Sequence, residues 1–394
     1  MNKFRFVFVT ILAVAMVGLV ANHNQTKSRV LIIQSYNTDF PWVPQVNGGI
    51  QQYLKENPSG VVLRYQYMDL RNHPNCDFYR SAANDARLVI QDWQPQVIII
   101  IDDLGQSLVG VNYLHFKPGV DANAMYDKFA AIDAKAGKCA SDPTKDKKYF
   151  GLGSISMTKQ PVIIFGGVNG NSVEPYGYND ADNVTGIFEN KNPDAIRQTI
   201  VDIYNAIPLA ENKPTSIQIL SDNSGSAASE KDFFENKLQA QDLSVPIEWK
   251  PVAYADTYDQ WKQYVTEANQ NRSMLLIANY GGIKENAGDT KPMPTTKLIA
   301  WTELTAKYPV LGAATNFITD GGMLTLAVPG YEQGQVAIQM ALQVLGGTPV
   351  SEIKSVEAKQ FIVGMNKSLV IKRGLNMPLI YEAFSRESNN LKDR

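Results

Sequence analysis

Two adjacent carboxylates, Asp102 and Asp103, follow the apolar run Val97 to Ile101, and they are the first side chains in this sequence that could do chemistry. Paired carboxylates can work as acid and base or hold a cation. At a strand end they also have a structural use, with one capping the next helix and the other facing a cleft. No other catalytic pattern accompanies them. His23, His73 and His115 are the three histidines, and none has a second histidine at metal-ligand spacing, so a zinc hydrolase is not expected. A nucleophile elbow, a phosphate loop and a dinucleotide fingerprint are all missing; Gly151-Leu152-Gly153 lacks the third glycine and reads as a turn. We therefore expect no catalytic residue, no metal and no cofactor: a protein that is not an enzyme.

What remains is a set of polar and aromatic residues just after short apolar runs, the places where open α/β sheets bind ligands. They include Gln34-Ser35-Tyr36-Asn37 with Phe40 and Trp42, Asp102-Asp103, and Asn169 after Gly166-Gly167. Further along come Ser221 to Gly225, Tyr254-Ala255-Asp256, Asn279 to Gly282, and Asp320-Gly321-Gly322. No lysine or arginine stands among these ends. Hydrogen-bonding groups and flat rings suit reversible recognition of a small neutral or zwitterionic molecule. The expected contacts are Ser35, Tyr36, Trp42, Asp103 and Asn169 on one side, and Asn223, Ser224, Tyr254, Asn279 and Asp320 on the other. Each has a local alternative as a turn or helix cap.

The elements that must carry these residues alternate in type. Val30 to Gln34, Val61 to Tyr67, Val97 to Ile101 and Val162 to Phe165 read as buried parallel strands, with helices over Val43 to Leu54 and Tyr79 to Trp93. A second series has strands at Ser216 to Leu220, Ile247 to Val252, Met274 to Ala278 and Val310 to Ala314, with helices around Glu230 to Gln239 and Tyr258 to Ala268. Two such series argue for two α/β lobes. Helical stretches at Asn192 to Ile207 and Glu332 to Leu345 lie where one series gives way to the other, so the chain is expected to cross more than once. The 60 residues between Ile101 and Val162 exceed a simple crossover and read as an insertion, with a helix over Asp121 to Ala136 and a loop over Cys139 to Lys148.

Composition narrows the class. The 394 residues carry 37 basic and 39 acidic side chains, a formal net charge of −2, and 44% are apolar, which favours neither disorder nor nucleic-acid binding. Lys3 and Arg5 precede a 16-residue apolar run from Phe6 to Ala21, the pattern of a secretory signal over residues 1–21, with an uncleaved signal anchor as the alternative; either exports the rest of the chain. Export would put Cys76 and Cys139, the two cysteines, in an oxidising compartment where they could pair or stay as thiols.

The segment Ser35 to Trp42 (S-Y-x-x-x-x-P-W) and the helix containing Asn47-Gly48-Gly49-Ile50 resemble the start of type I periplasmic binding proteins of the ABC-transporter substrate-binding family. The resemblance continues through Pro161 to Gly166, Val184 to Ile187 and Leu220 to Gly225, and is clearest at Gly330 to Ala337 and Leu345 to Pro349, with Asn366 leading into Gly374 to Pro378. It implies two Rossmann-like lobes with parallel sheets joined by a multi-strand hinge. The first would comprise about 29–190 plus 324–356, with the insertion at about 103–160; the second about 191–323 plus 357–385, leaving 386–394 as a tail. It also implies a periplasmic or otherwise extracytoplasmic protein that closes on a small molecule, in some relatives an aromatic amino acid. The expected partner is the permease of an ABC transporter or, alternatively, a membrane sensor receptor; no nucleic acid is expected, and oligomeric state is left open.

Overall fold

The computed structural model describes residues 27–73, 75–110, 160–169 and 183–393. Its strands, in chain order, are β1 (Arg29–Gln34), β2 (Val62–Tyr67), β3 (Val97–Ile101), β4 (Val162–Val168) and β5 (Val184–Phe188). They continue with β6 (Ser216–Asp222), β7 (Glu248–Trp249), β8 (Ala253–Ala255), β9 (Ser273–Ile277), β10 (Val310–Gly312) and β11 (Leu324–Ala327). Last come β12 (Val356–Glu357), β13 (Ile362–Asn366) and β14 (Leu391–Lys392). The expected secretory signal, the helix at 121–136, the loop at 139–148 and the turn at 151–153 lie outside the described residues. Among the described residues no helix is long and apolar enough to cross a membrane.

One sheet has the order β12-β5-β4-β3-β1-β2 with every pairing parallel. Its inner strands β1, β3 and β4 are near-continuous apolar runs because both faces are covered, whereas β2, at one edge, carries Arg64 and Gln66 and is only half-buried. Leu31, Ile33, Ile98 and Ile100 turn to the side of the helix Cys76–Trp93, where Ala83, Ala86 and Ile90 meet them. Val30, Ile32, Val97 and Ile99 turn the other way, against Val46 and Ile50 of the helix Trp42–Glu56 and Ala337 and Ile338 of the helix Gly330–Leu345. Those two helices cross closely enough that a Cβ at Gly334 would run into the Val46 carbonyl, and one at Gly49 into the Tyr331 carbonyl.

A second sheet has the order β14-β13-β11-β10-β9-β6-β7, with β8 also on β6. It is parallel except between β11 and β13. One face packs on Ile196, Ile200 and Ile203 of the helix Pro193–Ala206, the other on Trp261 and Val265 of the helix Tyr258–Gln270 and Leu298 and Ile299 of the helix Thr295–Thr305. Local signals start these helices: Asn192 accepts from Asp194 and Ala195 ahead of Pro193, and Thr257 with Gln260 forms a capping box.

Among the described residues the chain passes between the sheets three times, at 189–192, 328–329 and 358–361. The second and third passages differ from the expected boundaries. β11 stays with the second sheet because Leu324 and Leu326 fill its core and the Thr325 hydroxyl donates to the Gly312 carbonyl at 2.9 Å. Glu357 is still in the first sheet, paired with Phe188. Residues 386–393 of the expected tail belong to the second lobe, since Leu391 packs on its core and β14 pairs with β13.

Two other elements depart from expectation. The strand at 247–252 is split into β7 and β8, because Pro251 between them has no N–H to give the ladder. The helix at 230–239 begins earlier, as Gly225–Ser229 capped by Ser224, and then relaxes into a π-helical turn at Phe233–Lys237. Such widened turns concentrate at functional sites. Cys76, at the start of its helix, is disulfide-bonded, and Cys139 lies outside the described residues.

Candidate functional site

The carboxyl ends of both sets of parallel strands face a shared cavity of about 1070 Å³. From the first sheet come Tyr36, Phe40 and Trp42 after β1, Arg71 after β2, Asp102 and Asp103 after β3, Asn169 after β4, and Glu189 and Lys191 after β5. From the second come Asp222, the last residue of β6, with Asn223, Ser224 and Ser226 after it, Asp256 after β8, Asn279 and Tyr280 after β9, and Asn316 after β10. Parallel strands begun in the same direction end at one edge, so residues far apart in sequence meet there.

Trp42 is a wall rather than a free ring. Its indole lies over Gly167, which has φ 65°, and against Gly330, and only 6% of the residue is exposed. The Gly167 N–H donates to the Gln333 side chain at 2.8 Å, which fixes that wall to the helix Gly330–Leu345.

The strand end after β3 is the most constrained part of the site. Asp102 has φ 77° and ψ 156°, a backbone region that residues other than glycine rarely adopt. Its carboxylate accepts from the Tyr36 hydroxyl at 2.9 Å and the Leu104 N–H at 3.3 Å. The same Tyr36 oxygen lies 3.5 Å from Ser226 Oγ, across from the first lobe to the second. Asn169 donates to Asp103 at 2.8 Å. Burial, then the charge of Asp103, pushes the Asp102 carboxyl well above the usual carboxylate range. Burial also pushes Glu189 up to about 7, with Lys191 opposing and Asp103 reinforcing the shift, while burial holds Lys191 below the ordinary lysine value.

Lys191 forms an ion pair with Glu230, whose other carboxylate oxygen accepts from Asn279 at 2.6 Å. Asp222 spends both oxygens on backbone, accepting from Ser224 N–H at 3.0 Å and Gly282 N–H at 2.6 Å. These contacts shape the second wall.

Of the expected contacts, Tyr36, Trp42, Asp103, Asn169, Asn223, Ser224 and Asn279 line the cavity. Three do not. Ser35 is buried, donating to the Ile101 carbonyl at 2.7 Å and accepting from Gly105 N–H at 2.9 Å, so it ties β1 to the turn after β3. Tyr254 turns away to donate to Glu235 at 3.1 Å. Asp320 stands behind the wall and accepts from Tyr280 at 2.8 Å and Asn316 at 2.7 Å, positioning both.

The expectation of a wall without basic groups is overturned by Arg71, Lys191 and Lys284, which all line the cavity. Arg71 lies in the turn after β2, with its guanidinium carbon 4.3 Å from the Phe40 ring centroid. The run Val61 to Tyr67 marks the strand before it, but Arg71 stands four residues past its end, where a charge reads as an ordinary solvated turn residue. Lys191 and Glu189 follow β5, a strand whose Gly186 weakens its pattern, and Glu230 belongs to the irregular helix.

A family model described as ABC transporter substrate binding protein matches residues 152–386. No sequence among curated proteins matches. Among solved structures, the chain is similar to a conserved domain protein from Vibrio cholerae O1 biovar El Tor, with a TM-score of 0.56 and 14% identity over 91% of this chain and 99% of that one. An ABC domain in complex with L-Trp from Streptococcus pneumonia gives a TM-score of 0.56 and 13% identity over 91% and 98% of the two chains. A ligand-free, open substrate-binding protein with adhesive properties from Clostridium difficile gives 0.55 and 12% over 93% and 98%. At such identities the likeness is one of fold, with two α/β lobes.

Proposed function

Because the chain belongs to the ABC transporter substrate-binding protein family, we propose that it captures a small neutral or zwitterionic solute between its lobes and delivers it, outside the cytoplasm, to the permease of an ABC transporter. The observation that carries this reading is the cavity of about 1070 Å³ with walls from both sheets. A cavity of that size suits a small molecule, and polar groups at strand ends supply orientation while rings supply apolar area. The family is one of transport proteins, so the permease, rather than a sensor receptor, is the partner we take forward.

We assign the lobes as 27–190 with 330–358, and 191–329 with 359–393, following sheet membership. The three passages between them form the hinge, and closure would exclude water from the bound solute. Solute contacts are assigned to Tyr36, Asp103, Asn169, Asn223, Ser224 and Asn279, with Trp42 as a backing wall. We assign Cys139 as the partner of Cys76, a bridge suited to an oxidising compartment.

The test is a thermal-shift screen of the protein without residues 1–21 against amino acids, sugars and nucleosides. A solute at about 100 times its dissociation constant stabilises by about 2.7 kcal/mol. Asn223 is exposed at the cavity edge, so Asn223→Ala should weaken binding of the compound found while leaving the unliganded melting temperature unchanged. No shift with any compound would sink the capture reading.

A further inference from the structure

We infer that Arg71 is the specificity-determining residue of the cleft: it is built into a fork that both lobes complete, and it selects solutes that carry a carboxylate. This rests on the capture reading and narrows its solute to organic acids, zwitterions among them, against sugars and nucleosides.

Arg71 is placed by a fixed turn. The preceding Leu70 is fully buried and its N–H donates to the Ser35 carbonyl at 3.0 Å, while Met68 N–H donates to the Gln34 carbonyl at 2.9 Å. Asp69, between them, takes a left-handed φ of 55°. The acids of this neighbourhood are engaged by other side chains. Asp69 accepts from Asn72 at 2.7 Å and lies 3.3 Å from His73 Nδ1, and Asp39 accepts from Asn72 at 2.9 Å. Arg71 instead reaches the cavity wall.

There the guanidinium is held by its flat surfaces. Its carbon sits over the Phe40 ring, 4.3 Å from the centroid, and Tyr36 braces that ring edge to face with centroids 5.2 Å apart. Gly281 approaches from the second lobe. A Cβ built there would lie 2.9 Å from Nη2, 3.3 Å from Cζ and 3.7 Å from Nε. Distances that grow so slowly along the group put Gly281 over its plane and not at its rim. With a ring and a stretch of backbone packed on it in this way, the guanidinium bonds through the N–H groups of its rim. Those groups form a planar fork, the counterpart of two carboxylate oxygens bound by parallel hydrogen bonds. A hydroxyl offers such a fork one weaker acceptor, so a sugar matches it poorly. Asp222, beside Gly282, already accepts from two backbone N–H groups.

The rest of the wall sets the charge of the group that binds. Carboxylates outnumber cations around the cavity, and of the cations Lys191 is paired with Glu230. A dianionic phosphate would be repelled there more strongly than a singly charged carboxylate. Phe40 and Arg71 belong to the first lobe and Gly281 to the second, so the fork is clamped in this geometry only while the lobes are together. Acid recognition is thereby coupled to closure, and the missing side chain of Gly281 is what makes room for it.

The experiment measures by calorimetry the binding of L-phenylalanine, L-leucine, phenylacetate and hexanoate, each against its primary carboxamide, together with glucose, ribose and uridine. It uses the wild type, Arg71→Met, Arg71→Lys and Gly281→Ala, each with a melting curve to check the fold. The tightest of these compounds on the wild type should be an acid, with its carboxamide weaker by about tenfold or more. Arg71→Met should bring that acid down to the level of its carboxamide. Arg71→Lys, which keeps the charge without the planar fork, should give an intermediate preference. Gly281→Ala, whose methyl group intrudes on the guanidinium, should lower acid affinity more than carboxamide affinity. A sugar or nucleoside that binds more tightly than every acid, or an acid preference untouched by Arg71→Met, overturns the inference while leaving capture intact; Arg71 would then be a strut between the lobes. Failure of every compound to bind overturns both.

Discussion

Glu189 holds a proton that an ordinary glutamate would lose. Its carboxyl is pushed up to about 7 by burial, so between the unfolded value of about 4.5 and that point the folded state binds the extra proton. Stability contributed by this group therefore falls as pH rises through that window. Glu189→Gln, which imitates the protonated form, should match the wild type in melting temperature near about pH 4 and exceed it by about pH 8. A constant offset across the range would refute this account. Asp102 carries a different tension, a backbone at φ 77° that disfavours any side chain by about 1–3 kcal/mol. Its retention there places a carboxylate where Tyr36 reaches both it and Ser226. Which residues stand in the cavity wall was only half legible in the sequence. Tyr36, Asp103 and Asn223 were readable because they follow recognisable strands. Arg71 and Glu230 were not, since nothing local distinguishes a cleft-lining charge in a turn from a solvated one. Ser35 and Asp320 misled for the converse reason: polar side chains at strand ends also serve to tie the frame together.

At the scale of elements, the helix pair Trp42–Glu56 and Gly330–Leu345 depends on two glycines at its crossing, Gly49 and Gly334. Gly334→Ala forces the helices apart and should destabilise by about 1–3 kcal/mol or more, read from the urea midpoint, despite alanine's better helix propensity. A gain in stability would show that the crossing tolerates a wider spacing. The second lobe has a corresponding weak point in Glu303, buried in the helix Thr295–Thr305, which accepts from Arg373 at 2.7 Å and from Met323 N–H at 2.6 Å. Arg373 also donates to the Ala306 and Tyr308 carbonyls at 3.1 Å, closing the end of that helix. Arg373→Met strands a buried carboxylate and should cost about 3–5 kcal/mol in equilibrium unfolding; Arg373→Met combined with Glu303→Gln should recover part of it. The strands themselves were legible because fully buried parallel strands are unbroken apolar runs. The split at Pro251 and the π-helical turn were not, being decided by pairing and by contacts made only after folding.

For the whole molecule, the lobe count was readable from two successive α/β series, whereas the exact points of return were not. Leu324 looks the same in sequence whether it serves one sheet or the other; only its partners in the second core decide. Three passages rather than one also constrain how the lobes move. A single linker would allow swivel in any direction, while three side by side favour opening about one axis, so under the proposed capture the same residues would meet again at each closure. Glu332 reinforces the third passage by accepting from Lys359 N–H at 3.1 Å and Gln360 N–H at 2.9 Å. The interleaving predicts an order of events in refolding. In pulsed hydrogen exchange, amides of β1 and β3 should gain full protection together with those of the helix Gly330–Leu345, and early independent protection of β1 and β3 would contradict this.

The interleaving also bears on synthesis. The lobe that begins first is finished late, because one face of its sheet waits for Ala337 and Ile338, and its edge strand β12 arrives later still. A growing chain thus carries an apolar surface without its cover until most of its length has been made. Early arrest would leave that surface exposed to other chains, so a shortened product is an aggregation hazard rather than a smaller working unit.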